Sequence, residues 1–225
     1  MGHGDRGDPG REAAGETAGG TAKLPSGRHR LSRDYVASNQ RARILRAVTE
    51  VAGGRGYSQL TIDAIVGASA ISKKTFYEHF RNKEEAFFAA CESVASRMTA
   101  AFDDAAARRA EPDARLRAGL GALLEFLAAE PLGARMAVVE VLAAGPEAVA
   151  RRDRVKRHFC ATVVEHLLAM YPDFPEPELA AEVIVGGVHE VLYSRISRGE
   201  AHALPALRRG LVRMYAIPAP RPADH

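Results

Sequence analysis

The stretch AISKKTFYEHFRNKEEAFF, residues 70–88, decides how the chain is read. Ser72 is a good helix N-cap, because its hydroxyl can accept a hydrogen bond from one of the first free backbone N–H groups. From that start Phe76 and Phe80 stand four apart and share one face, while Lys73, Lys74, Tyr77 and His79 point elsewhere. One face asks for a core and the other for an acidic partner. Two lysines at a helix N-terminus oppose the helix dipole, and an external anion would compensate them.

The charge distribution says where that partner sits. Residues 28–83 hold 11 Lys and Arg against 4 Asp and Glu, a net +7, whereas residues 1–27 sum to −1 and residues 84–225 to −3. A basic block of this kind is the footprint of a nucleic-acid-binding module, since each cation placed near a phosphate releases a condensed counterion. At 225 residues and 47% hydrophobic the chain can bury one or two cores. Cys91 and Cys160 have neither metal nor redox spacing, and no uncharged apolar run approaches the length of a membrane span. These features predict a soluble cytoplasmic protein with no metal and no cofactor.

Outward from the opening stretch, the chain divides into segments. Residues 1–26 are rich in Gly and charge and are expected to be a disordered tail, as are residues 218–225. SRDYVASNQRARILRAVTEVAGGRGY, residues 32–57, places Val36, Ile44, Val48 and Val51 at near-helical spacing, with Gly53, Gly54 and Gly56 closing the helix and Gly56 as a left-handed cap. In SQLTIDAIVGASA, residues 58–70, Thr61 is a second N-cap ahead of Ile62, Ile65 and Val66. Asn82 caps a fourth, long helix carrying Phe87, Cys91, Val94, Met98 and Phe102. Prolines at 112, 131, 146 and 177 punctuate the remainder where helices start or stop. Nothing alternates as a strand would. The expected fold is all-α with about nine helices: a three-helix DNA-binding unit over residues 27–82 and a helical second domain over 83–217.

A short helix, a tight turn near Ser69-Ala70-Ile71 and a second helix led by basic residues make a helix-turn-helix. Thr61, Ile65-Val66, Ala70-Ile71, Ser72, Thr75-Phe76-Tyr77, Phe80 and Lys83-Glu84 closely resemble the amino-terminal pattern of TetR-family transcriptional regulators. GRHRLSRDYVASNQRARI, residues 27–44, and TFYEHFRNKEEAF, residues 75–87, look like a subgroup common in high-GC actinobacteria. The resemblance is strong from about Arg28 to Ala89; beyond, it covers only helix count and punctuation. It implies that Thr61, Ser72, Lys73, Lys74, Thr75, Tyr77, His79 and Lys83 form the DNA-contacting set, and Arg28 and Arg30 are expected to form a basic arm that reaches the duplex. Three departures stand out: Ala70 replaces the usual turn glycine, Lys74 stands where many members have Gly, and Val66 replaces Ala.

For the second domain the resemblance implies a homodimer on a palindromic operator and a cavity whose small-molecule ligand releases the DNA, as in a repressor. Glu140, flanked by Val138, Val139, Val141 and Leu142 in RMAVVEVLAAG, residues 135–145, must find a partner or stay exposed. Phe126, Met136, Glu140, Val163 and Leu167 are the expected cavity residues. In PELAAEVIVGGVHEVLYSRISRGE, residues 177–200, Ile184, Val188 and Val191 form one apolar line and Ala181, Val185, Leu192 and Ile196 another, so the helix must be covered on two sides. Leu204, Leu207, Leu211 and Met214 form a single stripe on a last helix. Ile184, Gly187, Val188, Val191, Leu207, Leu211 and Met214 are therefore expected at the dimer interface. No catalytic motif is present: there is no nucleophile elbow, Gly-rich phosphate loop or paired-histidine zinc signature. The competing readings are a helical enzyme or a non-DNA interaction protein with a pocket around His189 and Glu190.

Overall fold

The computed structural model describes residues 33–215. Among them lie nine α-helices and three short 3-10 turns, with no strand. The tails at 1–26 and 218–225, together with Arg28 and Arg30, lie outside the described residues.

The first helix, α1 (Arg33–Arg55), buries Ile44, Ala47, Val48, Val51, Ala52 and Gly53 at spacings of three and four. Val36, expected on that stripe, is exposed because the helix begins well before the core does. The helix also runs through Gly53 instead of closing on it. A Cβ on Gly53 would sit 2.2 Å from the carbonyl oxygen of Leu132, so only glycine lets the backbone at Leu132 cross there. Gly56 does take a positive φ, but its ψ of 156° is extended and not the left-handed helical cap the sequence suggested.

Local chemistry then sets the ends of α2 (Ile62–Ser69), α3 (Lys73–His79) and α4 (Lys83–Ala107). Thr61 accepts from the Ala64 N–H at 3.1 Å, Ser72 from Thr75 at 3.0 Å and Asn82 from Glu85 at 2.8 Å. Each such cap contributes about 1 kcal/mol. Phe76, Phe80 and Phe87 meet Ile44, Val48, Leu60 and Ile65 in one core, which also takes Val94 from farther along α4 and Met136. The three-helix unit is thus closed from below by α4 and by the segment around Met136, not by itself alone.

Prolines open four of the following helices: α5 (Pro112–Ala129), α6 (Pro131–Val138), α7 (Pro146–Met170) and α8 (Pro177–Ser197). There the missing N–H costs nothing, since that group has no intrahelical partner anyway. α5 lies along α4, and α7 along α8. A second core gathers Met98, Phe102, Leu124, Leu127, Leu192 and Leu204, and a third, smaller one Val163, Leu167, Ala181 and Val185. The last helix, α9, spans only Arg208–Tyr215 and follows a 3-10 turn over Ala201–Leu207 that contains Pro205. The expected single stripe is therefore broken: Leu204 and Leu211 are buried in the chain's own core, while Met214 is 77% exposed.

Candidate nucleic-acid interface and internal cavity

The recognition candidate α3 is held against α2 by a turn whose strain is visible. Ala70 has φ 51° and ψ 45°, the left-handed conformation that costs a non-glycine residue about 1–2 kcal/mol. Arg43 on α1 offsets it, donating from one guanidinium nitrogen to the carbonyls of Ser69 at 2.7 Å and Ala70 at 2.8 Å. Ser69 donates its hydroxyl to Ile65 O at 2.7 Å within the same corner. Arg43 was invisible as a structural residue in the sequence, where it counted only towards the basic block.

Several members of that block are likewise partnered inside the chain. The Lys73 ammonium lies 2.6 Å from Asp63 on α2, and the hydrogen bond to that carboxylate, then its charge, raise the Lys73 pKa. Both groups are exposed, so the pair is a screened surface contact that a phosphate can replace. Lys83 sits with its ammonium 5.2 Å from the centre of the Tyr57 ring, and the Arg41 guanidinium covers Phe80 at 5.3 Å. His79 pairs through Nε2 with Gln40 Oε1 at 3.3 Å and is half-buried. Thr61 and Ser72 use their oxygens as caps. Among the described residues no ion pair joins Lys74, which is exposed on the same face as the 56%-exposed Tyr77. Of the expected DNA-contacting set, Lys74 and Tyr77 thus present the least committed side chains, while the half-buried Thr75 shares a 2.9 Å hydroxyl–hydroxyl hydrogen bond with Ser72.

A cavity of about 630 Å³ lies among α4, α5, α7 and α8, with contributions from α6 and α9. Most of its wall is apolar, including Met98, Phe102, Leu120, Phe159, Val185 and Leu192. Of the residues expected there, Val163 and Leu167 are in the lining and Phe126, Met136 and Glu140 are not. Met136 is buried in the first core, and Phe126 lies under the Arg97 guanidinium at 5.5 Å. Glu140 turns the other way. Its carboxylate accepts the Tyr57 N–H at 3.0 Å and pairs with Arg135 at 3.1 Å, which resolves the isolated acid among valines.

The cavity also claims residues expected at a dimer interface. Ile184, Val188 and Leu211 line it, and Leu207 packs on the second core, so these four face inward. Gly187 and Val191 are half-buried. What α8 leaves outside is Leu179 and Val183, 54% and 64% exposed, with open space over Gly186. That line was legible as residues four and three apart, but the sequence offered two richer stripes on the same helix.

Polar groups in the wall are few and distinctive. Arg151 Nε and His189 Nε2 are buried without a hydrogen-bond partner. Burial, reinforced by Arg152 and Lys156, lowers the His189 pKa and keeps the ring neutral at neutral pH. Burial pushes the Cys91 thiol up to about 12, so it is protonated and unreactive. Glu190, the other half of the alternative pocket, is exposed and outside the wall. No helix among the described residues is long and apolar enough to cross a membrane.

A family profile described as "Bacterial regulatory proteins, tetR family" matches residues 44–90. The HTH-type transcriptional activator FasR of Mycolicibacterium smegmatis is 26% identical over 147 residues, which span 65% of this chain and 67% of that one. In fold the chain is similar to the fatty acid degradation regulator FadR of Bacillus halodurans, with TM-score 0.71 and 19% identity over 78% of this chain and 94% of that one. It is also similar to FadR of Bacillus subtilis, solved in complex with stearoyl-CoA, with TM-score 0.69 and 17% identity over 77% and 96%. The capped helix-turn-helix, its basic face and these relatives lead to one conclusion: residues 44–90 form a DNA-binding domain of the TetR family of bacterial regulatory proteins, and the chain shares the fold of TetR-type regulators.

Proposed function

We propose that the protein binds a palindromic operator as a homodimer and is released when a small molecule fills the cavity. The observation that carries this reading is the physical link between the cavity wall and the DNA-reading end. Ala137, Val138 and Val141 line the cavity, and Glu140, in the same short segment, grips the backbone N–H of Tyr57. Tyr57 begins the 3-10 turn that leads directly into α2, and its ring packs on Phe87 and beneath Lys83. A ligand that displaces α6 therefore pulls on the mounting of the helix-turn-helix.

Lys74, Thr75 and Tyr77 are the leading contacts in this reading, with Lys73 exchanging Asp63 for phosphate. A two-fold dimer would present two copies of α3 to two half-sites. Leu179 and Val183 on α8 and Met214 on α9 supply exposed apolar surface for it. The enzyme alternative needs His189 and Glu190 to act together, and the exposed Glu190 lies outside the wall. Selection of bound sites from genomic DNA provides the operator; fluorescence anisotropy then tests the reading residue by residue. Lys74→Ala should relax base preference at one position per half-site, by about 1–3 kcal/mol. Lys83→Ala should weaken all sequences alike and flatten the salt slope. If a Lys73→Ala/Lys74→Ala double variant binds the selected operator as well as the parent, α3 is not the reading helix.

A further inference from the structure

Two buried polar groups stand out because nothing in the chain completes them. Arg151 Nε and His189 Nε2 are shielded from solvent and without a hydrogen-bond partner, and both residues line the same cavity. Buried polar groups in folded proteins are nearly always satisfied, so each such atom calls for a partner. An arginine Nε–H can only donate. The rest of the Arg151 guanidinium is already fixed: Nη2 donates to Glu147 at 2.8 Å, and the plane covers Phe88 at 4.8 Å. Its Nε–H is therefore held in place and directed by contacts that do not use it.

The charged lining is predominantly basic: five Arg and Lys side chains stand against two carboxylates. Three of the five are paired, Arg117 with Asp113 at 2.6 Å, Arg151 with Glu147 at 2.8 Å and Arg152 with Asp153 at 2.8 Å, while among the described residues no ion pair joins Arg154 or Lys156. Arg152 and Lys156 lie close enough to His189 to disfavour its protonation. In its Nε2–H tautomer the neutral imidazole donates to a ligand oxygen, and the cations beside it suit a ligand that carries negative charge. Away from that pair, the lining from α4 and α5 and from Ile184, Val185, Val188 and Leu192 of α8 offers mainly aliphatic and aromatic carbon.

We propose that Arg151 and His189 are the specificity-determining residues of the cavity, and that its ligand is an acyl amphiphile whose carbonyl or carboxylate oxygens accept hydrogen bonds from them. This rests on reading the cavity as the effector site and adds the chemistry of what enters it. The apolar lining takes the chain, and Arg151 of α7 with His189 of α8 takes the head. Two sources share that chemistry, a free carboxylate and a thioester carrying a phosphorylated carrier.

The test is calorimetric titration of the full-length protein with four probes of equal chain length: palmitate, palmitoyl-CoA, hexadecanol and hexadecyltrimethylammonium. Palmitate or palmitoyl-CoA should bind at least about tenfold more tightly than hexadecanol, the worth of one well-placed hydrogen bond to a charged group. Binding of palmitate alone assigns the carboxylate, and binding of palmitoyl-CoA alone the thioester. In Arg151→Leu and His189→Leu that preference should collapse while hexadecanol binding holds. Arg151→Lys, which keeps the charge without the Nε–H, should recover only part of it. Operator binding by each unliganded variant verifies that it is folded. Equal affinity for acid and alcohol, tightest binding of the ammonium probe, equal loss for every probe in the variants, or no binding by any probe overturns the assignment. Acid preference that holds while operator affinity ignores saturating ligand would leave this inference standing and remove the proposed function instead.

Discussion

The DNA-reading end and the cavity half treat buried polar groups in opposite ways. Around α2 and α3 each corner is closed from within: Thr61, Ser72 and Asn82 cap their helices, and Arg43 fastens the carbonyls of the turn. Around the cavity, Arg151 Nε and His189 Nε2 are left without protein partners, and apolar side chains face an open volume. The first region is finished as a rigid body that needs only a surface to dock on. The second keeps an open volume with two unpartnered polar atoms in its wall. Glu140, bonded to Tyr57 across the boundary, joins the two.

The comparison breaks most easily at the rigid end. Phe76 is fully buried among the first core's aromatics, and Phe76→Ala should cost about 3–5 kcal/mol in chemical denaturation, with loss of operator binding. A cost under about 1 kcal/mol would mean the unit is looser than its packing indicates.

Glu140→Ala tests the joint. Its side chain is only 12% exposed, so removing it leaves the Tyr57 N–H and Arg135 without their acceptor and should cost about 1–3 kcal/mol of stability. Its larger consequence is functional: ligand should still enter the cavity, and operator affinity should respond to it less. A variant whose DNA response equals the parent's would move the coupling route elsewhere, to α4 or α6 alone.

Ala70→Gly sharpens the same contrast at smaller scale. Relief of the left-handed alanine should stabilise the chain by up to about 1 kcal/mol, reduced by the added freedom of the unfolded glycine. A loss of stability would show that the methyl group packs usefully in the turn.

A graded pH effect belongs to the cavity half. The pKa values of His166 and His189 are lowered from 6.5, chiefly by burial; for His166 a backbone hydrogen bond at Pro112 and the charge of Asp113 work against that, and for His189 Arg152 and Lys156 add to it while Glu190 and Asp153 oppose it. The unfolded chain takes up protons below about 6.5 that the folded chain does not, so stability should be level above neutrality and fall as pH drops through that range. Thermal melts from pH 7.5 to 5 should show that slope, and His189→Leu should reduce it; a slope of opposite sign would contradict the burial of both rings.

Much of the rigid end was legible because its determinants are local. Caps and helix-opening prolines act within a few residues, and the Phe76 and Phe80 face follows from helical spacing. The rest depends on distant partners. Nothing near Glu140 announces that its acceptor role lies 83 residues back at Tyr57, or that Arg43 and Lys73 spend their charge on the chain itself. On α8 two apolar stripes competed for one core, and periodicity alone does not say which of them faces a cavity and which a partner. The last stripe held only in part: across the 3-10 turn that contains Pro205, Leu204, Leu207 and Leu211 all reach the chain's own second core, and Met214 alone is left exposed.

The central claim is that occupancy of the cavity controls the DNA-reading end. Operator affinity measured by fluorescence anisotropy, at fixed salt and with calorimetrically verified saturation by palmitate or palmitoyl-CoA, tests it most directly. The account predicts a weakening of about tenfold or more, within the usual range of allosteric coupling, and its loss in Glu140→Ala. Unchanged operator affinity with the cavity filled would contradict it.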